Sequence, residues 1–507
     1  MELSRYLERG EFSGFVLGAF ILGIAAHSFA PFWHASEVWM AVGLGGCGLA
    51  VAMAYPRKPR FQIAVLILAV ALGFWRFNSS VPQANDGILP FMGNGIGYEG
   101  IVEKLSVSKT YSSAVVKIIS ADDRKISGPG ERLVIRLKQT VEVGTEISFT
   151  CSSRKPTTFP SNFDRRKSLA RKGVWAECTT IESLAISKQP SPFDPLVILA
   201  RWRETLTRRI SGTFPLDEAM LLSGILYGDQ DLSDEQYDLF QRSGLMHIVA
   251  VSGSNVTIVV SVVLGLVLAL GFSRRHAFWL ATLGLLVFIG FVGFGASVLR
   301  AAAMGWLAIL ARYIGRPVWT DRLLIVAAAV LNLMNPWLLA FDPGFALSFL
   351  ATWGLLSWTP VFQERLRFMP NIFSLRETLA TTLGATIMTV PYLAWAFGRM
   401  SLAGLITNAL ALPLIPWTMM WGAMATVWGR LPGQEFVSWP TFGLLRLIIK
   451  IAHLADVLPW LNLKVPYMEW AAMVGCYILL WQLWRAVRSE ESMRNKKEPV
   501  DSDVELG

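Results

Sequence analysis

The sequence predicts a polytopic α-helical membrane protein of about 10–13 spans that carries an inserted small β-barrel (OB-like) extracytoplasmic domain. Three observations lead there. Apolar residues make up 53% of the 507 and charged residues only 16%, against roughly 25% charged in soluble domains. Apolar runs near the 20-residue length of a bilayer crossing recur along the chain. One stretch of about 100 residues breaks that pattern with short alternating runs bounded by turn residues. With a mean hydropathy of +0.45 and 20 Trp, the composition excludes an ordinary cytosolic enzyme, a disordered chain and a small disulfide scaffold.

The first three candidate spans are Phe12–Ala30, Val38–Ala54 and Phe61–Phe77. Arg57, Lys58 and Arg60 separate the second from the third, whereas the connection around Pro31–Glu37 has no Lys or Arg. Positive-inside bias puts the N-terminus and the basic loop in the cytoplasm, so three crossings leave Asn78–Pro195 outside. That segment reads as five strands, near Tyr98–Ser106, Ala114–Ser120, Arg132–Lys138, Glu146–Cys151 and Val174–Ser183. Alternation in Val115, Lys117, Ile119 and in Leu133, Ile135, Leu137 supports them, with turns at Gly128-Pro129-Gly130 and Gly144-Thr145. Five short strands of this kind suit a small closed barrel.

From Leu196 the chain turns helical. Trp202–Ile210 is basic and amphipathic, as a helix at the membrane surface would be. Further spans fall near Leu245–Leu270, Phe278–Phe294, Val298–Tyr313, Leu323–Ala340, Phe345–Trp358, Thr378–Phe397, Leu402–Val427 and Met468–Trp484. Gly443–Trp460, with Arg446, Lys450 and His453 on one helical face, either crosses or lies in the interface. The expected organisation is therefore 1–77 transmembrane, 78–195 barrel, 196–485 transmembrane and 486–507 a cytoplasmic tail. Part of the net charge of +9 is topological, because cytoplasmic loops collect Lys and Arg. Five His and four Cys are too scattered for a metal cluster, and no metal or cofactor is expected.

The densest polar signal lies between Gly224 and Ser261. After the acidic Asp229, Asp231, Asp234 and Glu235, an apolar stretch contains His247, Ser252, Ser254, Asn255 and Thr257. On one continuous helix His247, Ser254, Thr257 and Ser261 share a stripe. Two readings of such intramembrane polarity stand: the lining of a path, or hydrogen bonding between helices. Arg300 follows among Gly293, Gly295, Ala296, Ser297, Ala301 and Ala302, placed either to contact a passing phosphate or to snorkel. Asp342-Pro343-Gly344-Phe345 reads as a turn opening a helix, a structural feature. Asn408 precedes the helix-interrupting Pro413 and Pro416. In the outer segment Arg154, Lys155, Arg165, Arg166, Lys167, Arg171 and Lys172 cluster with Phe159, Phe163 and Trp175. That mixture suits single-stranded nucleic acid or a solvated basic surface near lipid headgroups. Cys151 and Cys178 are the cysteines of the domain placed outside, where disulfides persist, and are expected to pair.

Several stretches in order resemble the ComEC family of competence proteins: GFVLGAFILGIA, NFDRRKSLARKGVWAEC, SGLMHIVAVSGSNV, VLRAAAMGWLAILARYIGRP, NPWLLAFDPGFALSFLATWGLL and PYLAWAFGRMSLAGLITNALALPL. The resemblance implies a channel in the bacterial cytoplasmic membrane that admits one DNA strand during natural transformation. Its implied partners are single-stranded DNA, membrane lipids, an extracytoplasmic DNA receptor and a cytoplasmic DNA translocase. Together with the polar residues above, the expected path runs by His247, Ser252, Ser254, Asn255, Thr257, Arg300 and Asn408, and the basic and aromatic residues Arg154, Lys155, Phe163, Arg165, Arg166, Lys167, Arg171 and Lys172 are the expected outer DNA-binding set. Asn255 stands where family members usually carry a His. Many members add a C-terminal metallo-β-lactamase-like domain, and a short form without that domain and without nuclease activity is expected here. A small-solute permease is one alternative. An intramembrane hydrolase using Ser252 or Ser254 with His247 is another, although VSGSN lacks the first Gly of G-x-S-x-G.

The charge alternation yields a first test. Cysteines introduced as Ser113→Cys and Ser502→Cys should label from opposite sides of the membrane, the first from outside, and labelling from one side would refute the topology.

Overall fold

The computed structural model describes residues 12–29, 58–82, 86–107, 112–126, 130–137, 141–156, 165–228, 232–249, 253–293, 296–315, 320–369, 375–428, 431–457, 462–464 and 468–497. The expected span Val38–Ala54 lies outside them. Helices α1 (Phe12–Phe29) and α2 (Lys58–Asn78) form the first pair. They cross where glycines replace side chains: a Cβ at Gly23 would run into the Val70 carbonyl, and one at Gly73 into the Phe20 carbonyl. Such small-residue contacts let apolar helices pack backbone to backbone.

The barrel follows. Its strands are β1 (Ile96–Val107), β2 (Ser112–Ala121), β3 (Arg124–Lys125), β4 (Arg132–Leu137), β5 (Glu146–Arg154) and β6 (Val174–Lys188), with helix α3 (Arg165–Arg171) leading into the last. The order β1-β5-β6-β4-β2 closes through the β1–β2 pairing, while β3 only extends β2. The β4–β6 pairing is parallel and the other barrel pairings are antiparallel. Closure explains the alternation in the sequence, because every strand has one wall inside. Ala114, Val116, Ile118, Leu133, Ile135, Leu137, Ile147 and Phe149 fill the core. On β2 the buried set is therefore Ala114, Val116 and Ile118, and Lys117 and Ile119 of the alternating set named above are exposed. Tyr98 is buried with its hydroxyl donating to the Phe91 carbonyl (2.6 Å) and beside Ser153 Oγ (2.7 Å), and burial pushes its pKa up to about 12.

The expected Cys151–Cys178 bridge is not formed in this structure. Both are buried, free thiols. Cys151 pairs with Ile181 and Cys178 with Ser153, so the two lie diagonally across β5 and β6. A hydrogen bond with Cys178, together with burial, raises the Cys151 pKa.

Helices α4 (Pro195–Thr213), α5 (Leu216–Tyr227), α6 (Asp234–Arg242), α7 (Met246–Val249), α8 (Gly253–Ala269), α9 (Arg274–Val292), α10 (Ala296–Tyr313), α11 (Thr320–Met334), α12 (Leu338–Phe341) and α13 (Pro343–Arg365) come next. Then come α14 (Leu375–Phe397), β7 (Arg399–Ser401), α15 (Ala403–Ala411), α16 (Ile415–Trp428), α17 (Gln434–Val457), β8 (Asn462–Lys464) and α18 (Trp470–Lys497), with β7 and β8 paired as a two-stranded ribbon. Two expected spans are broken: Leu323–Ala340 stops at Asn335-Pro336, and Leu402–Val427 passes through a 3-10 turn at Leu412–Leu414, where Pro413 cannot donate to a regular ladder. Within Leu245–Leu270 the described residues form α7 and α8.

Among the described residues, five helical segments are long and apolar enough to cross a membrane: Arg275–Val292, Pro343–Arg365, Arg376–Phe397, Ala403–Trp428 and Trp470–Ser489. Shorter apolar helices include Ser13–Ser28, Gln62–Asn78, Ile258–Val267, Val298–Leu310 and Arg322–Met334. The protein is a multi-pass membrane protein with a small closed barrel. Its chain divides into two compact units, one of Met1–Asp234, His247–Ala346 and Thr418–Leu445, the other of Glu235–Met246, Leu347–Trp417 and Arg446–Gly507.

The α1–α2 crossing gives a paired test. Gly73→Val should cost about 1–3 kcal/mol by overpacking and lower the thermal midpoint of the purified protein. Gly18→Val, which meets nothing within 4 Å, should leave the midpoint in place.

Candidate functional site

Within the first unit, the segment Asn335–Phe345 gathers the polar groups. Asn335 and Pro336 end α11, and the Asn335 side chain accepts the Trp337 N–H at 3.2 Å. Its amide donates to the Arg171 carbonyl at 2.8 Å, tying the segment to the barrel's helix α3. Asp342 then stands before Pro343, whose fixed φ suits the first position of α13. Asp342 Oδ1 accepts the Gly344 N–H at 2.9 Å, an N-cap bond that satisfies an orphan donor of α13.

The same carboxylate serves two arginines. Arg171 Nη1 lies 2.5 Å from Oδ1 and Arg300 Nη1 lies 3.8 Å from Oδ2. Asp342 and Arg300 are 4% and 5% exposed, so this is an interior charge cluster and not a surface pair. In the sequence Arg300 is a cation among small residues and Asp342 a turn residue; the fold makes them partners. It also withdraws Arg171 from the open basic surface, since its guanidinium is committed to Asp342. Arg300 Nε and Nη1 find no hydrogen-bond partner among the described residues.

Aromatic side chains surround this cluster. Trp337 lies 4.9 Å from Phe77 and edge-on to Trp175 at 5.5 Å, and Lys167 Nζ sits 4.9 Å above the Phe341 ring. Arg76, near the end of α2, donates to the Leu333 and Met334 carbonyls at 2.7 and 2.9 Å, the last turn of α11. The first helix pair, the barrel's helix α3 and the α11–α13 segment therefore share one packed junction.

The other candidates separate. His247 is exposed on the short helix α7, and residues 250–252 lie outside the described ones. A stripe from His247 to Ser261 requires one continuous helix through those residues. Ser252 lies outside the described residues, and Ser254 and Thr257 are placed on α8 by their backbone alone. Asn255 is 2% exposed and donates to the Ile225 carbonyl at 2.8 Å. Ile225 is in the last turn of α5, where carbonyls lack helical partners, so Asn255 acts there as a side-chain cap. In the second unit, Thr407 Oγ1 donates to the Ser243 carbonyl (2.6 Å) and Ser401 Oγ to the Arg242 carbonyl (2.5 Å). Gly244, with φ +73°, lets this turn meet Gly404. Asn408, one residue beyond Thr407, has a buried Oδ1 with no partner among the described residues. Of the basic cluster, Arg154, Lys155, Arg166, Lys167 and Lys172 are exposed. Arg166 Nε also donates to the Pro156 carbonyl at 2.8 Å. Phe163 lies outside the described residues, as does the side chain of Arg165. No group of three His, Cys, Asp or Glu able to hold a metal occurs among the described residues.

Residues 225–488 match the competence protein family, a stretch that holds His247, Asn255, Arg300, Asp342 and Asn408. The chain belongs to the ComEC family of competence proteins. It is 28% identical over 331 residues to ComE operon protein 3 of Bacillus subtilis (strain 168), an alignment covering 62% of this chain and 40% of that relative. The chain thus spans well under half the length of the curated relative it matches. No solved structure matches it. Arg171 and the barrel lie outside the family match, so the Arg171–Asp342 pair joins the competence region to a part of the chain that the match does not cover.

Asp342 compensates two guanidiniums at once, so its removal should be the most damaging single change in the cluster. Asp342→Ala should destabilise the protein by about 3–5 kcal/mol, the cost of leaving buried charge unpaired. Arg171→Ala should cost less, because its side chain is 15% exposed and its loss leaves the Asp342–Arg300 pair. Thermal unfolding of the purified variants checks the order.

Proposed function

We propose that this protein is a channel in the bacterial cytoplasmic membrane that admits single-stranded DNA during natural transformation. The observation that carries this reading is the competence-family match over 225–488, which covers helices long and apolar enough to cross a bilayer. In this reading residues 78–195 form an extracytoplasmic module. Its exposed Arg154, Lys155, Arg166, Lys167 and Lys172 attract the phosphate backbone, a sequence-independent and salt-sensitive attraction. Cys151 and Cys178 then face an oxidising compartment as adjacent thiols able to close a bridge.

The transmembrane region 196–485 provides the path, and 486–507 is the cytoplasmic tail. His247, Ser252, Ser254, Asn255, Thr257, Arg300 and Asn408 are the polar residues assigned to the path. A phosphodiester chain crossing a low-dielectric region needs donors and positive charge along its way, few enough that it does not stick. The protein acts by conducting the strand, with an extracytoplasmic receptor delivering DNA and a cytoplasmic translocase drawing it in.

Deleting the gene should abolish arrival of DNA inside while DNA binding outside persists; loss of both in equal measure would argue against a channel. Arg300→Ala should abolish uptake with protein abundance maintained, and Arg300→Lys should restore it only in part, since Lys lacks the planar fork. Full uptake by Arg300→Ala would remove Arg300 from the path.

A further inference from the structure

The Arg171–Asp342–Arg300 cluster is unbalanced. Two guanidiniums face one carboxylate, and both Asp342 and Arg300 are more than nine-tenths buried. Buried charge is costly unless compensated, yet Arg300 Nε and Nη1 have no hydrogen-bond partner among the described residues, and neither has Asp342 Oδ2. The first turn of the 23-residue helix α13 lies at the same point, and its N-terminal dipole favours negative charge there. Gly344, in that turn, is exposed. A Cβ on Gly344 would stand 3.1 Å from Asp342 Oδ1 and 3.8 and 3.9 Å from Arg300 Nη1 and Nη2. Gly344 thus stands at the exposed edge of the cluster and puts no side chain over Arg300, whose Nε and Nη1 are enclosed in this structure.

We propose that Arg300, with Arg171, Asp342 and the first turn of α13, forms a binding site for a singly charged phosphodiester, entered across Gly344. One phosphodiester supplies the single negative charge that the cluster lacks. Its oxygens accept from the unused Arg300 donors, as charge-assisted hydrogen bonds require. Asp342 has a second role in this site. It competes with the incoming anion for both arginines and so keeps binding weak enough for release, a property a conducting path needs. The proposal rests on the reading that a DNA strand passes through this region, and it names the chemical group that the site takes, one backbone linkage at a time.

The test uses the full chain in lipid nanodiscs with dimethyl phosphate as the probe, at ionic strength held constant with chloride. Dimethyl phosphate should raise the thermal midpoint of the wild type. Arg300→Gln and Gly344→Ala should require roughly tenfold more probe or beyond for the same shift, the loss expected when charge-assisted hydrogen bonds are removed. Arg300→Lys should keep a weakened response. Asp342→Asn should respond at lower probe concentration than the wild type even though the variant is less stable; a purely structural role for Asp342 predicts no such gain. No shift in the wild type, or an undiminished shift in Arg300→Gln, would overturn the site. Uptake lost in Arg300→Gln without Arg300-dependent binding of the probe would also overturn it and leave the channel reading standing. Arg300-dependent binding together with unchanged uptake would support the site and remove it from the DNA path.

Discussion

A single carboxylate organises the junction between the barrel and the helices of its unit. Asp342 caps α13 through the Gly344 N–H, takes the Arg171 guanidinium at 2.5 Å and faces Arg300 at 3.8 Å. Each partner reaches it from a different stretch of chain, so the position of the carboxylate fixes the others. The surrounding aromatic contacts of Trp337 with Phe77 and Trp175 keep water away, and low polarity strengthens every charge interaction inside. The same burial makes the excess positive charge of the cluster costly until an anion compensates it.

Much of the architecture was legible in the residues. The five barrel strands fall within a few residues of their expected bounds at most ends, because alternation and turn glycines are local signals. The extension of β6 to Lys188 was missed, since its outer half has no regular alternation. Span positions followed from apolar length, but breaks inside spans did not. Asn335-Pro336 and Pro413 carry breaking signals that apolar length alone does not weigh. The candidate site was legible in part. Arg300 stood out as a charge among small residues and Asp342 as a helix-opening residue, but their pairing spans 42 positions and leaves no local trace. The withdrawal of Arg171 from the basic surface was equally hidden, since a run of like charges does not say which member turns inward.

Two stretches far apart in the sequence form one structural feature in the second unit. The Ser243-Gly244 turn is held against the Ser401–Asn408 stretch by hydroxyl-to-carbonyl bonds from Ser401 and Thr407. The close approach to Gly404 leaves no room for a Cβ at Gly244, which would stand 2.9 Å from the Gly404 Cα, and the positive φ of Gly244 suits glycine. Constraint on these positions is thus steric and conformational. Asn255 shows a comparable economy of means: its amide completes the end of α5, so a residue in the polar stretch has a structural duty whatever else it does.

Closure of the barrel limits how it can meet other molecules. Each of its five strands is paired on both sides, and the short β3 extends only β2. Closure is local, however: β4 meets β6 only over Val174–Glu177, so Cys178–Lys188 of β6 pairs with β5 alone and keeps one free backbone edge. Over the fully paired part of the ring, recognition is written in outward side chains and connecting segments. Those can change from one relative to another while the closed ring of backbone pairings stays intact, so specificity on this module is free to diverge faster than its fold.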